Sequence, residues 1–364
     1  MKAKKLLTAA LAGLMAFGAF AIDMPSSSAA TRAELAAINV SKKGNFKYWE
    51  KNSPAKQQLI NYVKDVTDPK SANFIPVEDR IAVFDADGTL ICETAPYYFD
   101  WMMYLNSVID NPKFQMPSDI RNQARRVRAA FQSRDANAES LIDSRLRSAR
   151  AAAFDGMTLE EYKAFVADYM NTTYAEGLTN LKIGEAFYLP MVEVVSYLNA
   201  NKFTCYIVSG CDREILRVLV DGVMDIKTNH IIGSDYSYRT KKLAGEPLDK
   251  FLFEPDDQIL RGDKRLIRNL GTNKVLSIRR EIGKQAVLAF GNSMGDASMF
   301  NDTVANNKYR SAAFVLMCDD LEREFGNVSA AEKIKAAAAR YGWQTVSMRD
   351  DWATIYGNNV RKEN

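Results

Sequence analysis

The sequence predicts an α/β protein: a doubly wound parallel sheet with an inserted helical cap. Three observations carry that expectation. Short apolar runs at Ile81–Phe84, Phe203–Val208, Ala286–Phe290 and Ala312–Met317 read as strands buried on both faces. Segments of helical spacing separate these runs, and strands alternating with helices build a parallel sheet with right-handed crossovers. Between Thr94 and Gly184 the alternation stops, leaving a helical block of about ninety residues with no good strand, as an insertion would.

The elements follow in order. Met1-Lys2-Ala3-Lys4-Lys5, the apolar run Leu6 to Phe20 and the small-residue signal Ala19-Phe20-Ala21 read as a signal peptide over residues 1–21. A second plausible cut lies after Ala30, in Ser28-Ala29-Ala30. The run is too short for a membrane span, no Cys follows it as a lipid anchor, and no later stretch is long and apolar enough to cross a bilayer. The mature protein is therefore expected to be soluble and exported, periplasmic or secreted.

Residues 22–52, polar and rich in Ala, Ser and Lys, are expected to form a loosely held N-terminal arm. Ser53-Pro54 supplies an N-cap and a first-turn proline, and Leu59, Ile60, Val63 and Val66 continue at helical spacing to Asp68-Pro69. A loop through Pro76 leads into the first strand. The cap is placed at 94–186, with helices opening at Tyr97 to Leu105, through Arg121 to Arg150 as a solvated mixed-charge region, and from the capping box Thr158-Leu159-Glu160-Glu161 to Met170. The α/β core, 53–93 and 187–364, resumes with a helix at Met191 to Leu198, the strand to Val208, a helix from Asp212 to Val220, and a short strand at His230-Ile231-Ile232-Gly233. Residues 234–265 are charged and irregular, suggesting a hairpin or flap. Helices at Lys274 to Ile282 and Ala330 to Arg340 complete the pattern.

The chain carries 48 basic and 45 acidic residues, a formal +3, but three of its lysines lie in the leader, which has no acids. The mature chain thus balances at zero, and nothing in that balance favours nucleic acid or an anionic membrane as partner. Cys92, Cys205, Cys211 and Cys318 permit disulfides in an exported chain but lack zinc spacing, and no pairing is assigned. A single histidine, His230, argues against a histidine nucleophile or a multi-histidine metal site.

Three of the buried runs end in polar residues: Asp85-Ala86-Asp87, Ser209-Gly210, and Asn292 with Asp296. Lys274 opens the helix before the third. In open α/β sheets ligands bind at the carboxyl ends of strands, so these groups can converge. Two crowded carboxylates repel unless a cation or a shared proton relieves them. The set suits phosphoryl transfer: a carboxylate to attack phosphorus, oxygen ligands for a cation, and a hydroxyl, backbone N–H groups and an ammonium for the phosphate oxygens.

These four pieces, in this order, resemble the haloacid dehalogenase-like superfamily, most closely its phosphoserine-phosphatase-like branch, over roughly residues 53–356. Phe84-Asp85-Ala86-Asp87-Gly88-Thr89-Leu90 matches the first motif, Ile207-Val208-Ser209-Gly210 the second, Lys274 the third, with Lys264 and Lys284 as weaker substitutes, and Gly291 to Asp296 the fourth. The resemblance implies a Rossmann-like core and a Mg²⁺ cofactor. It implies that Asp85 is the nucleophile and a metal ligand. Asp87 would protonate the leaving oxygen, then deprotonate water, and lend its backbone carbonyl to the metal. Thr89, Ser209, Gly210 and Lys274 would bind phosphate, and Asn292 and Asp296 would complete the metal set. An acid at position 87 favours phosphatase over carbon–halogen cleavage, which needs no acid for an alkoxide. Asn292 departs from the usual Asp there, so more of the metal's charge would fall to Asp296.

The expected partner is a small-molecule phosphate ester. Glu93, Tyr97, Tyr98 and Trp101 lie just past the nucleophile. They would either meet a cationic leaving group such as choline or pack the cap helix onto the core, the latter being favoured. Two further readings stay open: a phosphate-ester binding protein on a disabled hydrolase fold, and a phosphotransferase.

Overall fold

The structure, a computed structural model, describes residues 29–363 apart from 96, 136 and 244. The leader at 1–21 lies outside the described residues. Among those described, no helix is long and apolar enough to cross a membrane.

Residues 29–52, the described part of the expected arm, are held down, contrary to the expectation of a loose one. Its short helix α1 (Arg32–Ala36) begins at a Thr31 capping box. The Arg32 guanidinium donates to the carbonyls of Gly184, Leu219 and Asp221, while Leu35, Val40 and Trp49 are buried. These anchors are too widely spaced to show a period. Helix α2 (Pro54–Thr67) starts where expected: the Ser53 hydroxyl accepts the Lys56 N–H at 3.0 Å, and Leu59, Ile60, Val63 and Val66 are buried.

Strand β1 (Ile81–Phe84) is followed by the cap helices α3 (Phe99–Asp110), α4 (Ser118–Gln132), α5 (Ser144–Ala152) and α6 (Leu159–Thr172). The core resumes with α7 (Leu189–Ala200), β2 (Thr204–Asp212) and α8 (Arg213–Val220). Strands β3 (Ile231–Thr240) and β4 (Ile259–Ile267) form an antiparallel hairpin, so the charged stretch at 234–265 is strand at its two ends, with 241–258 connecting them. Then come α9 (Thr272–Glu281), β5 (Leu288–Gly291), α10 (Ala297–Val304), β6 (Ala312–Met317), α11 (Val328–Tyr341), β7 (Gln344–Ser347) and the single turn α12 (Met348–Asp351). Strand β7 went unforeseen because it is four residues long, half polar and at the sheet edge.

The seven strands lie in the order β4-β3-β2-β1-β5-β6-β7, parallel except at the β3–β4 pair. Alternate residues feed two cores. Ala82, Phe84, Leu288, Phe290 and Phe314 face one side, where the rings of Phe84, Phe290 and Phe314 stack; Ile81, Val83, Ala289 and Val315 face the other. Burial on both faces explains the continuous apolar runs. Register puts Phe84 opposite Ile207 and Phe290, so the residues that follow all three strands emerge at one edge.

Candidate active site

Asp85 is the first residue beyond β1, and its N–H donates to the Phe290 carbonyl at 2.9 Å, which fixes it beside the end of β5. The chain then turns: Thr89, Leu90 and Ile91 N–H groups return to the Ala86 carbonyl, and Gly88 N–H to that of Ile91. Gly88 has φ +70°, and a Cβ there would sit 2.0 Å from Asn292 Nδ2 and 2.6 Å from Glu93 Cδ. The turn therefore brings Glu93 and Asn292 against the loop that carries Asp87.

At the end of β2, Ser209 and Gly210 are pinned from behind. The Asn269 amide donates to the Ser209 carbonyl at 3.1 Å, and the Ser234 hydroxyl donates to the Gly210 carbonyl at 2.6 Å. The Ser209 hydroxyl accepts the Cys211 N–H, so its own proton can point outward. Asn269 and Ser234 escaped the sequence reading because only the packing of β3 against the segment after β4 brings them there.

Lys274, fully buried on α9, donates to Asp85 Oδ1 and Asp296 Oδ1, each at 2.6 Å. Burial opposes its charge, but Asp296 and Asp85 more than offset this and hold its pKa above the usual lysine value. Burial and the Asp296 charge push Asp85 up to about 6 against the pull of Lys274. Asp87 lies well above the ordinary carboxylate range, through burial and then the charges of Asp100 and Asp85. A protonated Asp87 is what a general acid requires. Lys264, exposed on β4, and Lys284, bonded to Asp79, lie elsewhere.

Asp296 is occupied on both sides. Its second oxygen accepts the N–H groups of Asn292 and Ser293 at 3.1 Å each, folding the loop after β5. Asn292 is held differently: its Nδ2 donates to Glu93 Oε1 at 2.8 Å, which leaves Oδ1 buried without a partner. Asp87 Oδ1 and the Thr89 hydroxyl are also buried and unpartnered. Such orphans in a native fold mark a missing ligand or ion. Burial pushes Glu93 itself up to about 8.

Among the described residues no cluster of three or more His, Cys, Asp and Glu side chains makes a metal cage. One carboxylate, an amide oxygen and a backbone carbonyl nonetheless suit Mg²⁺, which keeps water ligands and shares the substrate's phosphate rather than demanding a protein cage. Asp85, the Asp87 carbonyl and Asn292 Oδ1 are the residues that could hold it.

Asp85, Asp87, Glu93, Ser209, Gly210, Asn292 and Asp296 line one cavity of about 140 Å³, with Lys274 beneath its floor. Tyr98 and Trp101 also line it, but Arg150 already lies over the Trp101 ring, 4.3 Å from its centroid. Tyr97 stands outside, its hydroxyl donating to Glu139 and its ring 4.3 Å from that of Phe131. Tyr97 thus packs within the cap, while Tyr98 and Trp101 pack there and also reach the cavity wall. The cavity's outer wall is instead Arg147, Arg150, Arg265 and Arg268, which the sequence hid within stretches that read as solvated charge.

The sequence model of the family described as haloacid dehalogenase-like hydrolase matches residues 82–301. No curated protein sequence matches the chain. A solved protein from Anaerococcus prevotii, described as conserved and functionally unknown, superposes with a TM-score of 0.51 at 13% identity, covering 89% of this chain and 98% of that one. A cytosolic 5'-nucleotidase IIIB bound to cytidine gives 0.46 at 9%, covering 81% and 87%. A phosphoserine phosphohydrolase-like protein from Francisella tularensis gives 0.40 at 14%, covering 73% and 94%.

Proposed function

Since the chain belongs to the haloacid dehalogenase-like hydrolases, we propose that it is an exported, Mg²⁺-dependent phosphomonoesterase working through a phospho-aspartate. One observation carries the reading: two buried carboxylates two residues apart, Asp85 held by Lys274 and Asp87 with an unpartnered oxygen, share one cavity. Asp85 attacks phosphorus while the ester P–O bond breaks, and Asp87 gives its proton to the departing oxygen. Asp87, now ionised, takes a proton from water, which attacks the phosphoryl group and frees Asp85 and inorganic phosphate. Thr89, Ser209 and Lys274 offer donors to the oxygens on which charge spreads. Asp85, the Asp87 carbonyl and Asn292 Oδ1 would hold Mg²⁺, which would supply charge neutralisation for the phosphoryl group.

Export rests on the leader. Ala29 is buried and its N–H donates to the Asn180 carbonyl, which favours the cut after Ala21 over the one after Ala30.

The test is turnover of p-nitrophenyl phosphate by the mature protein with Mg²⁺. Activity abolished by chelator and by Asp85→Asn is the expected result. Phosphate-ester binding with no turnover at any Mg²⁺ concentration would identify a disabled binder instead. Phosphorylated glycerol among the products would identify a phosphotransferase.

A further inference from the structure

The cavity has a floor and a rim of opposite character. On the floor Lys274 bridges two of the carboxylates, Asp85 and Asp296. On the rim, Arg147 from α5 faces Arg265 from β4 and Arg268 from the segment that follows it. Among the described residues none of these three guanidiniums has a carboxylate within ion-pair distance; Arg147 bonds the Ile142 carbonyl at 3.3 Å. Arg150, one turn along α5, shows the contrast, for Asp100 neutralises it at 2.5 Å. Glu139 is the acid on that rim, and it also accepts the Tyr97 hydroxyl.

Unpaired like charges in a concave site repel one another. Burial, then the charges of Arg268 and Arg265, draws Arg147 below the ordinary arginine pKa. Arginines kept together in that state are ready to bind an anion, and their planar forks match phosphate oxygens.

We propose that the substrate's leaving group carries a second phosphate, bound by Arg147, Arg265 and Arg268 while the scissile phosphate sits on Asp85. This rests on the phosphatase reading above. Phosphate is favoured over carboxylate because three guanidiniums offer more donors than two oxygens take, and a monoester phosphate carries nearly two charges at neutral pH. The cationic leaving group suggested by the aromatic residues would meet these arginines with repulsion.

The test uses matched linear esters: butane-1,4-diol bisphosphate, butyl phosphate, and 4-phosphonooxybutyrate as the carboxylate arm. The wild-type protein should prefer the bisphosphate to butyl phosphate by roughly ten- to a hundredfold in kcat/KM, the range expected of hydrogen bonds to a charged group. Arg265→Gln and the exposed Arg268→Gln should each bring that ratio toward one, with thermal melts confirming that the variants fold. Equal turnover of the two esters, a preference that survives both substitutions, or a carboxylate ester preferred to the bisphosphate overturns the proposal. A parallel calorimetric titration of Asp85→Asn with the same compounds separates the two readings. Bisphosphate bound at least about tenfold tighter than butyl phosphate, with the advantage lost on adding Arg268→Gln, supports the arginine site even if no ester is hydrolysed. Equal affinity there overturns it whether or not butyl phosphate is turned over.

Discussion

Lys274 stands between two buried carboxylates, and much of the site's order depends on that single ammonium. Removing it as Lys274→Met leaves Asp85 and Asp296 as like charges in a low-dielectric floor. Breaking a buried pair this way costs about 3–5 kcal/mol. Without the lysine Asp85, pushed up to about 6 even in its presence, rises further above its unfolded value. The lost stability should then return below about pH 4 and be fully absent at neutral pH, as denaturant melts across pH would record. Glu93 acts through Asn292. Its acceptor fixes the amide with Nδ2 toward Glu93 and leaves Oδ1 without a partner. Glu93→Ala should raise the Mg²⁺ concentration for half-maximal activity by about ten- to a hundredfold, as losing a partner that orients a ligand does. At this scale Asp85, Asp87 and Gly88 were legible because they are neighbours in sequence after an apolar run. The role of Glu93 was not, since its partner is Asn292, on another strand's loop.

Among the elements, the N-terminal arm departs most from its sequence. Glu193 on α7 accepts the backbone N–H groups of Lys47 and Tyr48 at 2.6 and 3.0 Å, and Trp49 packs edge-on against Trp352. Burial pushes Glu193 up to about 7, against the pull of those two bonds. A folded pKa above the unfolded one stabilises fully below about pH 4.5, and that stability is lost as pH rises through about 7. Thermal melts from pH 5 to 8 should therefore show a fall, on the order of 3 kcal/mol at most, that Glu193→Gln removes. The β3–β4 hairpin ties the cap to the core. Gly156 and Arg261 exchange backbone hydrogen bonds with their neighbours across that join, and Asp212 takes both Arg261, at 2.9 Å, and the Tyr162 hydroxyl, at 3.0 Å. Helices α2 and α6 were legible from their caps and apolar spacing. The extent of the hairpin was not, because its strands carry charge on their exposed positions and pair with each other rather than with an apolar layer.

For the molecule as a whole, a cap joined to the core by the hairpin and by the Tyr162–Asp212 hydrogen bond covers a cavity of about 140 Å³. Asp85 is buried beneath residues of the cap, so a phosphorylated side chain on a folded protein would reach it only by displacing the cap. Turnover of a folded phosphoprotein should be negligible beside that of a small ester at equal phosphate concentration, as phosphate release would measure; comparable rates would mean the cap opens widely. The sequence by itself determined the doubly wound sheet and its order of motifs, because apolar period, turn chemistry and caps are local and act before any long-range contact forms. It also determined the acid pair, the lysine and the polar strand ends as candidates for one site. Only the tertiary structure decided that Tyr97 packs within the cap, that Asp296 organises a loop and a lysine, and that three arginines from α5 and the end of the hairpin line the nucleophile's cavity. Those outcomes depend on which groups desolvate one another once separate elements pack, over a hundred residues apart for Arg147 and Arg265, and charge so placed carries no periodic trace of where it will meet.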